Sequence, residues 1–318
     1  MAKIPCFHPN YVTYANGQFG RFGGKLTPAV LSSNNGEQIV PVPCGKCDGC
    51  RADRSKKWAD RMLMEYNSPR CNRKALFVTL TYDNDHITLI ECTDGVSRPT
   101  LVPRDVQLFM KRLRKKFPCR FYLSGEYGDT TFRPHYHLIL FGIESFCDDI
   151  PWSGISEDGN PLYMSPTLQS IWQNGNALYS PANWKTFAYV ARYVLKKQFN
   201  SDLGNYDLYK GRVPPFSRCS RRPGIGADFF DSSDLELSTV VFDGDQLRTV
   251  SPPRCNFDKF KLTNPSEYDN LMSDRRALAE SRQQFILDGT DLHYLDYLHD
   301  REVTFKGKIQ LLKKRSVE

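Results

Sequence analysis

The stretch His135-Tyr136-His137-Leu138-Ile139-Leu140-Phe141 decides the fold. Its residues are apolar, aromatic or β-branched, and period-2 alternation puts His135, His137, Ile139 and Phe141 on one face of a strand. Tyr136, Leu138 and Leu140 take the other face, so both faces of the sheet must be covered. Upstream, Phe121-Tyr122-Leu123 is the partner strand, reached through a loop carrying Gly125, Gly128, Asp129 and Pro134. That arrangement predicts an antiparallel hairpin. Ala75-Leu76-Phe77-Val78-Thr79-Leu80-Thr81-Tyr82 reads as a further strand, ended by Asp83-Asn84.

Helices surround these strands. Trp58, Met62 and Tyr66 fall at i, i+4 and i+8, with Ala59 and Leu63 beside them, which predicts a helix over 51–66. Val106, Phe109, Met110, Leu113 and Phe117 repeat at helical spacing between Pro103 and Pro118, predicting a second over 104–117. A third covers 184–197, with Phe187, Val190, Ala191 and Val194 as its apolar side. Beyond residue 200 the chain is punctuated by Gly and Pro, and helical patterns resume around 274–287 and 292–298. The fold class expected is α+β: a central antiparallel sheet flanked by helices, an N-terminal cysteine-rich, metal-stapled segment and a partly helical C-terminal extension. The expected division is 1–70, 71–200 and 201–318.

The chain has 318 residues, 43 Lys and Arg against 36 Asp and Glu, and 13% aromatic residues. That richness in aromatics excludes a disordered chain. No apolar run approaches the ~20 residues of a membrane span. The start, Met1-Ala2-Lys3-Ile4-Pro5-Cys6, lacks a signal-peptide core, so a cytosolic protein without a membrane partner is expected. Charge is unevenly distributed. Arg104 to Arg120 holds seven basic residues and one acid, whereas Asp228 to Asp245 holds six acids and no base. The basic run suits a polyanion or a solvated helix face, and the acidic run reads as a solvated loop.

Three motifs carry chemistry. Cys44, Cys47 and Cys50 form C-x-x-C-x-x-C in a chain with ten cysteines. Three thiolates so spaced suit one soft cation, and structural zinc takes four ligands. Cys6 is the first choice for the fourth and His8 the second; an iron–sulfur cluster is the other metal reading, and buried metal-free thiols the bland one. His135 and His137, two apart on a strand, project from one face and suit one divalent ion. An oxygen ligand would come from Glu126, or from Asp129 if the turn favours it; packed histidines without metal are the alternative. Tyr189 and Tyr193, at i and i+4, point the same way from a helix, with Lys196 and Lys197 near that face. Phenols beside ammonium groups suit nucleophilic attack at a phosphate, while an aromatic packing stripe explains the same spacing.

Taken in order, Phe77 to Tyr82, Arg133-Pro134-His135-Tyr136-His137-Leu138 and Tyr189-Val190-Ala191-Arg192-Tyr193-Val194-Leu195-Lys196-Lys197 resemble the three motifs of HUH-type rolling-circle replication initiators. The chain is most similar to the replication initiation proteins of gokushovirus-type microviruses, single-stranded-DNA bacteriophages. Pro43 to Arg51 and Ser124-Gly125-Glu126-Tyr127-Gly128 resemble segments of that subfamily. The resemblance spans roughly 40–226, and Tyr136 stands where a bulky hydrophobic residue sits between the histidines.

What the resemblance implies is an HUH endonuclease core in which His135, His137 and Glu126 hold Mg²⁺ or Mn²⁺ against the scissile phosphate. Tyr193 or Tyr189 attacks, leaving a 3′-hydroxyl and a 5′-phosphotyrosyl link, and the other tyrosine serves the joining step. Lys196 or Lys197 counters negative charge. Arg51, Arg54 and Lys57 on the first helix, and Lys111, Arg112 and Lys115 on the second, would contact phosphates of the single-stranded origin. No G-x-x-x-x-G-K-[S/T] occurs, so a host helicase and DNA polymerase in the bacterial cytoplasm are the implied partners. A non-catalytic zinc-containing nucleic-acid-binding protein is the competing expectation.

Overall fold

The computed structural model describes residues 5–15, 18–21, 38–128, 130–155, 159, 161–196, 209–230 and 235–315. The chain divides into two compact units, 1–54 with 277–318, and 55–276. The larger holds a seven-stranded sheet in the order β12-β7-β8-β4-β11-β10-β9, antiparallel throughout. Its strands are β4 (Ala75–Tyr82), β7 (Arg120–Tyr127), β8 (Pro134–Phe141), β9 (Ile150–Ile155), β10 (Pro161–Met164), β11 (Gly175–Pro181) and β12 (Phe216–Cys219). The α+β class is therefore as the patterning requires.

Alternation along β8 builds two cores. Tyr136, Leu138 and Leu140 join Leu76, Val78 and Leu80 of β4 on one face. Helix α2 (Pro103–Lys116) covers that face with Val106, Phe109, Met110 and Leu113, and α3 (Pro166–Trp172) adds Leu168, Ile171 and Trp172. Ile139 and Phe141 point the other way, beneath Ala59, Met62 and Leu63 of α1 (Asp48–Asn67) and Phe187, Val190 and Ala191 of α4 (Trp184–Lys196). Burial of such side chains, worth roughly 1.5–3 kcal/mol each, stabilises the three layers. Gly175 opens β11 at φ +141, where a Cβ would collide with both Asp83 N and Thr81 O, so only glycine lets β11 start that close to β4.

Two short hairpins complete this unit: β5 (Leu89–Glu91) with β6 (Ser97–Pro99), and β13 (Thr239–Asp243) with β14 (Gln246–Val250). The second corrects the solvated-loop reading of the acidic run. Asp243 pairs with Arg248 at 2.5 Å and accepts the Trp184 N–H at 3.2 Å, while Asp228 pairs with Arg70 at 2.9 Å. Local charge balance, invisible as a sequence run, is what orders it. Helix α5 (Arg254–Thr263) follows, and α6 (Pro265–Asp288), like α1, runs across the division between the units.

The smaller unit contains a three-stranded sheet, β1 (Asn10–Ala15) between β2 (Gln18–Arg21) and β3 (Gln38–Val42), together with α7 (Tyr294–Arg315). Phe7 is buried there against Phe305, ring centroids 5.5 Å apart.

Candidate active site and cysteine cluster

The register of β7 on β8 sets Glu126 directly opposite His135, and β4 sets Thr79 opposite His137. Glu126, His135 and His137 thus share the face beneath α4. Glu126 is buried, and its Oε1 lies 3.1 Å from His135 Nε2 and 3.0 Å from His137 Nε2. Asp129, the other oxygen donor considered, lies outside the described residues.

Second contacts aim both rings. His135 Nδ1 is 3.1 Å from the Arg133 carbonyl oxygen, which can only accept, so Nδ1 carries a hydrogen. In the neutral ring the Nε2 lone pair then faces a carboxylate oxygen, and two acceptors at that separation call for a cation or a proton between them. His137 Nδ1 is 3.1 Å from Thr79 Oγ1, and the ring stacks on Phe77 with centroids 5.4 Å apart. A hard divalent ion with ligands at about 2.1 Å in octahedral geometry places neighbouring donors ~3.0 Å apart, so these three atoms fit one. Burial alone would push the Glu126 carboxyl up, but hydrogen bonds and positive charge from His135 and His137 hold it below the ordinary carboxylate range.

Tyr189, half-buried on α4, sets its ring edge-on to His137 at 5.2 Å and to Phe77 at 5.9 Å, with the Arg192 guanidinium 5.5 Å from its ring. Tyr193 and Lys196 belong to α4, but their side chains lie outside the described set, as does the whole of Lys197.

Cys6, Cys44, Cys47 and Cys50 gather at the start of α1, their four sulfurs within 4.8 Å of one another. The Cys6–Cys47 and Cys44–Cys50 sulfur separations are 3.8 and 3.9 Å. A disulfide needs about 2.05 Å, whereas a tetrahedron of thiolates at about 2.3 Å from zinc has edges of ~3.8 Å. Backbone N–H groups point at the sulfurs: Cys44 N at Cys6, Cys47 N at Cys44 and Phe7 N at Cys47, at 3.2–3.4 Å. Burial pushes Cys6 and Cys50 up. Burial would raise Cys44 as well, but the N–H groups of Cys47 and Lys46 bring it down to about 7. Gly49 allows the arm to approach, since a Cβ there would collide with the Pro5 carbonyl oxygen. His8, the second choice, stands apart: its Nε2 pairs with Glu302 of α7 at 3.0 Å and its side chain is 63% exposed.

The basic residues divide. Lys57, Lys111 and Lys115 are exposed, and Arg54 is half-buried. Arg51 is largely covered and lies 3.5 Å from Asp48. Arg112 turns inward, donating to the carbonyls of Ile171 and Trp172 at 2.8 and 3.2 Å where α3 ends. Sequence reasoning missed Thr79 and Phe77 as companions of His137. Only the pairing of β4 with β8 reveals them.

The fold and these donor sets define an α+β protein with a two-histidine, one-carboxylate candidate metal centre on its sheet and a four-thiol cluster in a separate unit. Over residues 75–198 the chain matches the model of a family of viral proteins described as Replication-associated protein ORF2. It is 30% identical over 299 residues to Replication-associated protein ORF2 of Spiroplasma virus 4, spanning 92% of this chain and 80% of that one. Replication-associated protein VP4 of Bdellovibrio phage phiMH2K is 28% identical over 265 residues, spanning 77% of this chain and 78% of that one. Replication-associated protein ORF4 of Chlamydia phage 1 is 34% identical over 257 residues, spanning 74% and 59%. The chain belongs to this family of viral replication-associated proteins. No solved structure matches it. Among the described residues no helix is long and apolar enough to cross a membrane.

Proposed function

We propose that this chain is a nicking and joining endonuclease that opens the single-stranded origin of a phage genome and recloses displaced strands during rolling-circle replication. The observation that carries the reading is the convergence of Glu126, His135 and His137 with the Tyr189 ring against His137. A divalent ion such as Mg²⁺ or Mn²⁺ bound there would neutralise charge on a non-bridging phosphate oxygen. Thr79 and the Arg133 carbonyl hold the two imidazoles in the tautomer and orientation the site needs.

The phenolic oxygen of Tyr189 or Tyr193 attacks phosphorus in line, losing its proton. The P–O3′ bond breaks, the departing 3′ oxygen takes up a proton, and the 5′ phosphate is left as a tyrosyl ester. A free phenol has a pKa of about 10, so Lys196 or Lys197 nearby favours the phenolate. The second tyrosine repeats the cut on the regenerated origin, and the freed 3′-hydroxyl closes the circle. Four thiolates of Cys6, Cys44, Cys47 and Cys50 hold a structural zinc. Lys57, Lys111 and Lys115 contact phosphates, and host helicase and polymerase in the bacterial cytoplasm supply unwinding and synthesis.

The test is a denaturing gel of labelled single-stranded oligonucleotides tiled from the genome, with Mn²⁺ or EDTA. A metal-dependent adduct that survives boiling, persists in Tyr189→Phe or Tyr193→Phe, and vanishes in the double variant is expected. Strand binding on a native gel with no adduct on any tile would leave a non-catalytic binding protein instead.

A further inference from the structure

Two joined grooves lie away from the candidate active site, both within the larger unit. The first, of about 520 Å³, runs between α2 and the β7–β12 edge, floored by Val106, Met110, Phe121 and Leu123. Lys111, Arg114, Lys115 and Arg218 stand along it. The second, about 910 Å³, shares Arg114 and Phe121 with the first and adds Arg70, Arg120, Arg221 and Arg222. Among the described residues no carboxylate lines either groove. The nearest acids are already engaged, Glu65 with Arg120 and Asp228 with Arg70.

The position is distinctive. Phe121 and Leu123 alternate along β7 with Tyr122, Ser124 and Glu126, so the first groove opens on the sheet face opposite the histidines. Phe121 is five residues from Glu126, ~17 Å along the strand. A phosphate held at Glu126, His135 and His137 does not reach this floor. Guanidinium groups already lie against the rings here, Arg114 4.8 Å from Phe121 and Arg218 5.3 Å from Phe216.

We propose that this groove is a second, sequence-independent binding track for single-stranded DNA, separate from the site that cuts. An apolar, aromatic floor takes the faces of unpaired bases while the basic walls take the phosphodiesters. A duplex offers phosphates but hides its bases, and an acidic peptide has no planar rings to match the floor. The inference rests on the replication-endonuclease reading for its ligand, and it assigns the groove to a strand segment other than the one being cleaved.

The experiment uses the full chain and oligothymidylate carrying 5-iododeoxyuridine, a probe without origin sequence. Photocrosslinks in wild-type protein are expected on the peptide containing Phe121 or Phe216. The Arg218→Ala/Arg221→Ala/Arg222→Ala variant is expected to bind on the order of 10-fold more weakly at low salt. Its log–log salt slope should be shallower by about 2, since each lost phosphate contact removes ~0.7. Crosslinks confined to other peptides, or equal competition by duplex DNA or polyglutamate, would overturn the proposal. Adduct formation on origin tiles is scored in the same preparations. Adducts without groove crosslinks sink the track alone, whereas crosslinks without adducts sink the endonuclease reading and leave the track.

Discussion

Replacing Cys6 by alanine separates the two candidates for the fourth ligand of the cysteine cluster. Cys6 Sγ is 3.8 Å from Cys47 Sγ, the edge of a zinc–thiolate tetrahedron, and it accepts the Cys44 N–H at 3.2 Å. Structural zinc contributes about 10–16 kcal/mol of apparent binding energy in small zinc domains. Loss of one ligand in four therefore takes away about 3 kcal/mol, or ~10²-fold in zinc affinity. His8→Ala removes only a contact whose histidine is 63% exposed, an interaction in the range of about 0–1 kcal/mol. Zinc retention would be measured by competition with a chromophoric chelator, alongside thermal unfolding with and without EDTA. Cys6→Ala should release its metal at far lower chelator concentration and unfold earlier, whereas His8→Ala should match wild type in both. If His8→Ala sheds zinc while Cys6→Ala keeps it, the tetrahedral assignment is wrong.

Glu126 gives a pH signature in the metal-free protein. Its folded carboxyl is held below the ordinary value, so its stabilisation is complete above the unfolded pKa of ~4.3 and is lost as pH falls through the lower folded value. EDTA-treated wild type should lose stability across that acid window more steeply than Glu126→Gln, and identical profiles would remove Glu126 from the cluster. Thr79→Val deletes the hydroxyl 3.1 Å from His137 Nδ1 and should raise the Mn²⁺ concentration for half-maximal adduct by about 10–100-fold. An unchanged metal requirement would mean that Thr79 does not orient the ring. Arg112→Ala leaves the Ile171 and Trp172 carbonyls without their donor and should cost about 1–3 kcal/mol in urea unfolding. Its strand affinity should stay at the wild-type level while Lys111→Ala/Lys115→Ala weakens binding. The reverse pattern would return Arg112 to the DNA-binding surface.

The central layer was legible because its signals are local and redundant. β8 alternates so strictly that both cores follow from it, and β4 and β8 match their expected spans to within a residue. The helical stripes of α1, α2 and α4 announced which face each would cover. The region from Ile150 to Pro181 was not legible, because its strands are short, broken by Pro151, Pro161 and Pro181, and stabilised by pairing on β4 rather than by their own pattern. β12 was missed for the same reason: four residues carry too little periodicity, and only pairing with β7 makes them a strand. In the site, Glu126 was reachable by counting back along a hairpin, but Thr79 was not, since its nearness to His137 depends on a partner strand 58 residues away.

Tyr136 shows why the histidine strand holds its register. While His135 and His137 face α4, the Tyr136 side chain is wholly buried on the opposite face. Its hydroxyl accepts the Val102 N–H at 2.9 Å and lies 3.0 Å from that of Tyr82, which donates to Asp105 at 2.8 Å. Val102 precedes α2 without a side-chain cap, so this phenol satisfies a helix-end N–H that would otherwise be orphaned. A slip of β8 by one residue would bury the imidazoles in the Leu and Trp core and turn Tyr136 toward the donor cluster. The polar atom between the two histidines thus penalises every wrong register from the far side of the sheet. A purely hydrophobic residue there would fill the same space without that specificity, which gives the departure at Tyr136 a physical role.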